Sequence, residues 1–207
     1  MIELPCFYTL SSPWAYLGGP QLQDIVRRHR VRLALKPYDF QEVVPKTGGV
    51  PIRTRPQPRR DYHRTELARW RDYLGLPLNL EPRFYQMANP APNWNKFAGW
   101  TVIAAGQTGA DAFPLSHALL RALWAEERDV SDLAVRQAIA DENGYDGSAL
   151  VAAETSEAVQ AEYRANGEEA ERLGVFGSPT VVLDGELFWG QDRYGFVDRA
   201  LARQAAG

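Results

Sequence analysis

Strand-like sequence occurs in only two places along this 207-residue chain, near its beginning and near its end, and this spacing limits how it can fold. The apolar run at residues 2–10 is typical of a buried strand, and residues 31–40 alternate apolar and polar side chains as a second strand would. A helix-forming stretch joins the two. The beginning therefore predicts a β–α–β unit, whose strands lie parallel and whose crossover is right-handed.

The end of the chain, GVFGSPTVVLDGELFWGQDRYGFVDRALARQ at residues 174–204, predicts a β-hairpin followed by a helix. The pair Asp184–Gly185 between TVVL and ELFW suits the type I′ turn, which matches the twist of paired strands. Apolar residues at helical spacing after the hairpin place one face of the final helix against a core. Because a helix is also predicted before the hairpin, the end of the chain supplies an α–β–β–α unit.

Between the two ends the sequence has helical periodicity and no strand signal. Helices are predicted at residues 62–74, 95–105, 115–127, 131–143 and 156–173, and residues 148–152 could begin one more. Residues 41–60 hold prolines and a Gly-Gly pair, which predicts an ordered but irregular loop. The whole chain predicts an α/β thioredoxin-like fold, formed by residues 1–42 and 155–207, with an all-helical insertion at residues 43–154.

Composition narrows the functional class. The formal net charge of −3 gives no reason to expect nucleic acid or an anionic membrane as a partner. No signal peptide is recognisable, and no apolar stretch approaches the roughly 18 residues that a membrane span needs. The single cysteine, Cys6, excludes an internal disulfide and fits a reducing compartment. We therefore expect a cytoplasmic globular protein.

The stretch FYTLSSPWAYLGG at residues 7–19 places two hydroxyl groups between the first strand and the first helix. Ser12 stands at the N-cap position, and Pro13 stands at the first helical position, where its missing N–H leaves no helical bond unmade. The Gly-Gly-Pro triplet at residues 18–20 is predicted to kink or interrupt the helix.

In a thioredoxin fold this loop carries the reactive group, because the free N–H groups and the dipole at the helix N-terminus favour a negative charge. Thioredoxins have Cys-x-x-Cys there, whereas this chain has SSPW, which excludes dithiol redox chemistry. The Ser12 hydroxyl could lower the pKa of a bound small thiol by donating to its thiolate, or it could serve only as the helix cap. Ser178–Pro179 occupies the place, at the entrance to the hairpin, where thioredoxin folds often hold a cis-proline.

Three parts of the chain, FYTLSSPWAYL, GVFGSPTVVLDGELFWGQDR and the helical block between them, together resemble the 2-hydroxychromene-2-carboxylate isomerases and the kappa-class glutathione transferases. The resemblance extends over nearly the whole chain. It implies a DsbA-like thioredoxin fold with a helical insertion, glutathione as cofactor, and a homodimer.

The resemblance also implies site residues. Ser12 matches the family's catalytic serine, which hydrogen-bonds the glutathione sulfur, and Ser178 matches the residue that pairs with the glutathione backbone. Gly190, Gln191 and Asp192 match the loop that grips the γ-glutamyl end. The Asp192 carboxylate suits the ammonium group of that end, although it could also cap the last helix.

The chain departs from the family after the second predicted strand, where Gly49 stands in place of an asparagine. Nearby, Lys46, Arg53 and Arg55 could bind a substrate carboxylate or the glycyl carboxylate of glutathione. The arginine-rich segment that follows forms a local basic patch, for which a solvated surface is the alternative interpretation.

The remaining chemistry-bearing residues indicate packing. The three histidines lack metal-ligand spacing, so no metal site is expected. His117 and Cys6 are predicted to lie in the core. Four aromatic residues of the insertion are expected mainly to pack, although one or two could line a pocket for an aromatic substrate: Tyr85, Trp94, Trp100 and Trp124.

The activity implied by the resemblance is a glutathione-dependent cis–trans isomerisation of a small aromatic or conjugated substrate. The thiolate held by Ser12 adds to the substrate, a carbon–carbon bond rotates, and the thiolate leaves, so glutathione is regenerated. Two alternatives stay open. A kappa-like glutathione transferase or peroxidase would consume glutathione, and a redox-inactive thioredoxin-fold binding module would not be stabilised by it.

Overall fold

The computed structural model describes residues 1–85 and 96–206. Its strands form one mixed sheet in the order β2-β1-β3-β4, with β1 (Glu3–Tyr8), β2 (Arg32–Pro37), β3 (Thr180–Leu183) and β4 (Glu186–Trp189). β1 pairs in parallel with β2 and antiparallel with β3, and β3 pairs antiparallel with β4. Helix α1 (Pro13–His29) connects β1 to β2, which confirms the predicted β–α–β unit.

Helices make up most of the remaining described residues. They are α2 (Phe40–Lys46), α3 (Gln57–Leu74), α4 (Phe97–Gln107), α5 (Phe113–Trp124), α6 (Leu133–Glu142), α7 (Gly147–Ala153), α8 (Glu157–Leu173) and α9 (Tyr194–Ala206), with short 3₁₀ turns at Ile52–Thr54 and Gln191–Arg193. The predicted helices are confirmed, with ends that move by a few residues. Asn95, the predicted start of α4, lies outside the described residues. The thioredoxin-like fold with inserted helices is therefore confirmed.

The predicted irregular loop at residues 41–60 was wrong for part of its length. Helix α2 begins at Phe40 because the Asp39 carboxylate caps it, accepting a hydrogen bond from Gln41 N at 3.0 Å. Helix α3 begins at Gln57, with Pro58 in its first turn. A proline in the first turn of a helix leaves no hydrogen bond unmade, so Pro58 is compatible with a helix start.

The predicted interruption of α1 at residues 18–20 was also wrong, since the helix is continuous from Pro13 to His29. A Cβ atom at Gly18 would overlap Gln191 and Tyr194, and one at Gly19 would overlap the ring of His117. The glycines therefore let neighbouring elements approach α1 closely. This packing outweighs the weak helix propensity of glycine and the one bond that Pro20 cannot donate.

The hairpin turn agrees with its sequence signal. Asp184 and Gly185 have φ angles of 51° and 80°, both in the left-handed region that a type I′ turn requires. The turn joins β3 to β4, which forms one edge of the sheet while β2 forms the other.

Two apolar clusters hold the fold together. The larger joins one face of the sheet to α1, α9 and the inserted helices. The smaller lies between the sheet, α2 and α8 and includes Phe7, Val43, Val44 and Val182. Helix α2 packs on the sheet and spans the predicted domain boundary between residues 42 and 43. The boundary itself stays a prediction. No helix within the described ranges has the length and apolar character needed to cross a bilayer.

Candidate functional site

Ser12 lies at the N-terminus of α1, where the helix meets the sheet. The residue is 5% exposed. Its Oγ accepts a hydrogen bond from Ala15 N at 3.2 Å, which confirms the predicted cap, and donates one to the carbonyl oxygen of Ser178 at 3.2 Å. The hydroxyl proton therefore points to the loop before the hairpin.

The loop facing the start of α1 is held by hydrogen bonds to the sheet and to its flanking segments. The Ser178–Pro179 peptide bond is cis, as its position predicted. Ser178 Oγ accepts a hydrogen bond from Thr9 N at 3.0 Å, and the carbonyl of Gly177 accepts one from the Tyr38 hydroxyl at 3.0 Å. These bonds keep the Ser178 backbone against the first turn of α1.

Gly190 and Gln191 follow β4 and close the same side of α1. Gly190 N donates to Pro179 O at 2.9 Å, and Gly190 has a φ of 96°, a value that favours glycine. Gln191 is 2% exposed and packs against Gly18. Within the described residues its Oε1 atom has no hydrogen-bond partner. A buried carbonyl oxygen without a donor is costly, so this atom is suited to accept an N–H from a ligand.

The Asp192 carboxylate pairs with the side chain of the next residue, Arg193. One of its carboxylate oxygens lies 3.0 Å from the Arg193 guanidinium, and the residue is exposed. An ammonium group would have to compete with Arg193 for this carboxylate. The contact with the γ-glutamyl end stays a prediction.

Cys6 offers no reactive thiol to this site. It lies buried in β1, and burial raises its pKa to about 12 although a hydrogen bond with Tyr194 acts in the opposite direction. The thiol is therefore protonated at neutral pH, and nucleophilic sulfur chemistry at Ser12 needs a thiol from outside the chain. The described part of the chain contains no group of His, Cys, Asp and Glu side chains that could hold a metal ion.

The three basic residues predicted to bind a carboxylate have different surroundings. Lys46 Nζ lies 3.0 Å from the Glu171 carboxylate, so its charge is already paired. Arg53 is exposed and donates to the Gln41 side chain at 3.2 Å. Arg55 is half-buried and forms no ion pair with the described residues. The surroundings favour the arginines over the lysine, and the substrate role of all three stays a prediction.

Sequence reasoning missed a contact between the first turn of α1 and the middle of the basic segment. The rings of Trp14 and His63 meet edge to face, with centroids 5.3 Å apart. Burial and the charge of Arg55 lower the pKa of His63 to about 4, so the imidazole is neutral at pH 7. Trp14 and His63 come from separate helices, and the only local signal was an aromatic residue directly after the Ser-Pro cap.

The other aromatic candidates are mostly structural. Trp124 is buried in the large cluster, and Trp100 packs against it. The Tyr85 ring lies 4.8 Å from that of Trp124. Burial raises the pKa of Tyr85 to about 12, and the charge of Arg55 acts in the opposite direction. Trp94 lies outside the described residues. The His117 ring stacks on that of Tyr16 with centroids 5.4 Å apart, but His117 is half-buried, so its predicted place in the core is confirmed only in part.

Gly49 explains why this chain cannot keep the family's asparagine without a backbone change. Gly49 N donates to Val44 O at 2.9 Å, and a Cβ atom here would overlap both the Val44 side chain and the carbonyl oxygen of Phe176. The Thr47 hydroxyl donates to Val175 O at 2.7 Å. The end of α2 is therefore packed directly against the segment that leads to the cis-proline.

Replacing Gly49 by alanine is expected to lower the free energy of unfolding by about 1–3 kcal/mol, because the overlapped carbonyl belongs to backbone. Gly106→Ala is the matched control, since no atom lies within 4 Å of a Cβ atom added there in α4. The control is expected to be neutral or stabilising by up to about 1 kcal/mol. Urea unfolding of both variants measures the difference, and equal effects would contradict the close packing.

Comparisons with known proteins agree with this architecture. Residues 3–202 match the family model described as the DSBA-like thioredoxin domain. A 2-hydroxychromene-2-carboxylate isomerase of Sphingobium xenophagum is 30% identical to this chain over 196 residues, which cover 94% of this chain and 95% of the relative.

Solved structures share the fold. A 2-hydroxychromene-2-carboxylate isomerase structure matches with a TM-score of 0.80 and 23% identity, covering 99% of this chain and 96% of that one. The cytosolic disulfide reductase DsbM from Pseudomonas aeruginosa with GSH matches with a TM-score of 0.67 and 19% identity, covering 97% of this chain and 100% of that one. The chain belongs to the DSBA-like thioredoxin domain family, together with the 2-hydroxychromene-2-carboxylate isomerases.

Proposed function

We propose that this protein is a glutathione-dependent isomerase of the 2-hydroxychromene-2-carboxylate isomerase type. The observation that carries the proposal is the buried Ser12 hydroxyl at the N-terminus of the 17-residue helix α1, facing the Ser178 carbonyl. The name of the 30% identical relative supports the reaction type. A fold neighbour solved with GSH supports the choice of thiol.

The residues around Ser12 fit an extended tripeptide. Gln191 packs on Gly18, and residues 12 and 18 are separated by roughly 9 Å along a helix. The thiol of glutathione is on its central residue, so a molecule with its sulfur at Ser12 would extend its γ-glutamyl end toward Gln191. The unpartnered Gln191 Oε1 would accept an N–H from the γ-glutamyl end, which satisfies a buried acceptor that the described residues leave open.

The part of Ser12 in the reaction is to hold negative charge on a bound sulfur. When bound, glutathione supplies a thiol for reversible addition to a conjugated substrate, which the buried Cys6 does not supply. The free N–H groups and the dipole of α1 attract an anion, and the Ser12 proton would turn from the Ser178 carbonyl to the sulfur. A hydrogen bond to a charged acceptor contributes about 1.5–3 kcal/mol, which lowers a thiol pKa by about 1–2 units.

Glutathione at ten times its dissociation constant is expected to raise the free energy of unfolding by about 1.4 kcal/mol. S-methylglutathione is the control, because it keeps the peptide and lacks the ionisable thiol. Titration of the complex, followed by the ultraviolet absorbance of the thiolate, is expected to show a thiol pKa below that of free glutathione. A thiol pKa equal to that of free glutathione, or no increase in the free energy of unfolding, would contradict the proposal.

The stoichiometry of glutathione separates the proposed reaction from its main alternative. With 2-hydroxychromene-2-carboxylate as substrate, an isomerase turns over many substrate molecules for each glutathione and leaves the glutathione concentration unchanged. A transferase depletes glutathione in proportion to product. Such depletion would replace the isomerase assignment with the transferase one.

A further inference from the structure

The Gly177 carbonyl oxygen accepts two buried hydrogen bonds. One comes from the Tyr38 hydroxyl at 3.0 Å and the other from the Thr180 hydroxyl at 2.9 Å. Tyr38 is 0% exposed and Thr180 is 1% exposed, so water does not compete for these bonds. Burial raises the pKa of Tyr38, so its hydroxyl keeps the proton that it donates. The direction of the Gly177 carbonyl is therefore fixed by two donors.

This carbonyl also sets the direction of the Ser178 N–H group. The peptide bond between Gly177 and Ser178 is trans, and the C=O and N–H groups of a trans peptide unit lie in one plane and point in opposite directions. Because the carbonyl points to Tyr38 and Thr180, the Ser178 N–H points away from them. Ser178 is buried, and the part of the chain that the structure describes offers this N–H no acceptor.

The backbone of Ser178 can therefore pair with a peptide ligand. A buried N–H without an acceptor is costly, and a carbonyl of the ligand would satisfy it. The Ser178 carbonyl accepts a bond from the Ser12 hydroxyl at 3.2 Å, and this hydroxyl is the one proposed to turn to the bound sulfur. Once it has turned, Ser178 has both a donor and an acceptor for an extended backbone, as a residue at the edge of a sheet has.

Tyr38 is itself held in place at the end of β2. Its backbone N donates to Tyr8 O at 3.2 Å, and its ring packs edge to face on that of Phe7 with centroids 6.5 Å apart. The residue before it, Pro37, accepts a hydrogen bond from the buried Asn166 side chain of α8 at 3.1 Å. The sheet and α8 together fix the position of the Tyr38 hydroxyl.

From this arrangement we infer that Tyr38 is a positioning residue, whose hydroxyl aims the Ser178 N–H at the backbone of the bound thiol peptide and so sets the affinity for that peptide. The inference rests on the proposed function and goes beyond it, because it assigns the affinity to a buried side chain on the opposite side of the Gly177–Ser178 peptide from the N–H. Ser12 acts on the sulfur, whereas Tyr38 acts on the peptide backbone. The two effects can be measured separately.

Calorimetry with glutathione and S-methylglutathione tests the effect on affinity. Tyr38→Phe is expected to raise the dissociation constants of both ligands about two- to tenfold, the effect of one hydrogen bond. Tyr38→Phe/Thr180→Val is expected to raise them further, because the Gly177 carbonyl then loses both donors. The thiol pKa of bound glutathione is expected to stay unchanged, since Ser12 and the start of α1 are intact. A general loosening of the site would change the affinity and the pKa together.

Tyr8→Phe is the matched control. Tyr8 is also buried, and its hydroxyl bonds to Ser116 Oγ at 2.7 Å in the larger apolar cluster, whereas Tyr38 lies in the smaller one. Each substitution removes one buried hydroxyl, so both are expected to lower the urea midpoint to a similar extent. Only Tyr38→Phe is expected to weaken peptide binding. Unchanged affinity in Tyr38→Phe, or equal weakening in Tyr8→Phe, overturns the inference.

Amide NMR of the ligand-free protein separates this inference from the proposed function. Tyr38→Phe is expected to move the Ser178 N–H resonance more than Tyr8→Phe does. If glutathione does not bind the unmodified protein while this resonance depends on Tyr38, the proposed function fails and the control of the Ser178 N–H by Tyr38 stands. If glutathione binds while neither the resonance nor the affinity depends on Tyr38, the proposed function stands and the role of Tyr38 is refuted.

Discussion

Replacing Glu154 by alanine is expected to lower the free energy of unfolding by about 3–5 kcal/mol. Glu154 is 3% exposed and Arg136 is 2% exposed, and their side chains form an ion pair at 2.6 Å. Glu154 also accepts a second bond from Arg136 at 2.8 Å and one from the Thr101 hydroxyl at 2.6 Å. The substitution leaves the guanidinium buried without a carboxylate from the described residues, bonded to the carbonyls of Val130 and Ser131 and lying over the Phe97 ring.

The ion pair, together with the Thr101 hydroxyl, connects three of the inserted helices. Thr101 belongs to α4, Arg136 to α6, and Glu154 follows directly after α7. A domain of this size has a total stability of about 5–15 kcal/mol, so the variant is expected to be marginally folded.

Urea unfolding measures the Glu154 effect, with Glu157→Ala as its control. Glu157 pairs with Arg164 at 2.5 Å on the surface, and the loss of that pair is expected to change stability by less than about 1 kcal/mol. Removing both buried charges in Arg136→Met/Glu154→Ala is expected to recover part of the loss, because no unpaired ion then remains. A Glu154→Ala variant as stable as the surface control would show that the pair is not a stabilising centre.

Replacing Ser12 by alanine is expected to slow isomerisation by about ten- to a hundredfold. The substitution removes one hydrogen bond to a charged sulfur, which contributes about 1.5–3 kcal/mol. Each increase of about 1.4 kcal/mol in the activation free energy slows the reaction about tenfold. The thiol pKa of bound glutathione is expected to rise in the same variant. Steady-state kinetics and thiolate titration measure the two effects, and they are expected to change together.

Ser12 also caps α1, so its loss destabilises the fold independently of any catalysis. Ser156→Ala is the control for this role, because Ser156 caps α8 in the same way, its Oγ accepting from Val159 N at 3.3 Å. Both variants are expected to lose about 1 kcal/mol of stability, and only Ser12→Ala is expected to lose activity. Equal activity in the two variants would mean that Ser12 is a cap and nothing more.

Much of the fold could be predicted from sequence because its signals are local. The Asp184–Gly185 turn, the Ser12 cap and the alternation in the strands each depend on a few adjacent residues. The same local reasoning failed at residues 18–20, where glycines that weaken a helix instead allow Gln191, Tyr194 and His117 to pack against it. That outcome depends on contacts with residues distant in sequence.

The sequence by itself determined the β–α–β unit at the beginning of the chain, the hairpin and helix at its end, and the presence of serines where thioredoxins have a dithiol. These features follow from short patterns that no distant contact can change. Tertiary structure alone decided which charged groups remain available. Lys46 and Arg55 are both basic residues of one segment, yet Lys46 pairs with Glu171, 125 positions away, while Arg55 forms no ion pair with any residue that the structure describes. Pairing of charges is a property of the folded surface, because it depends on which helices the fold brings together.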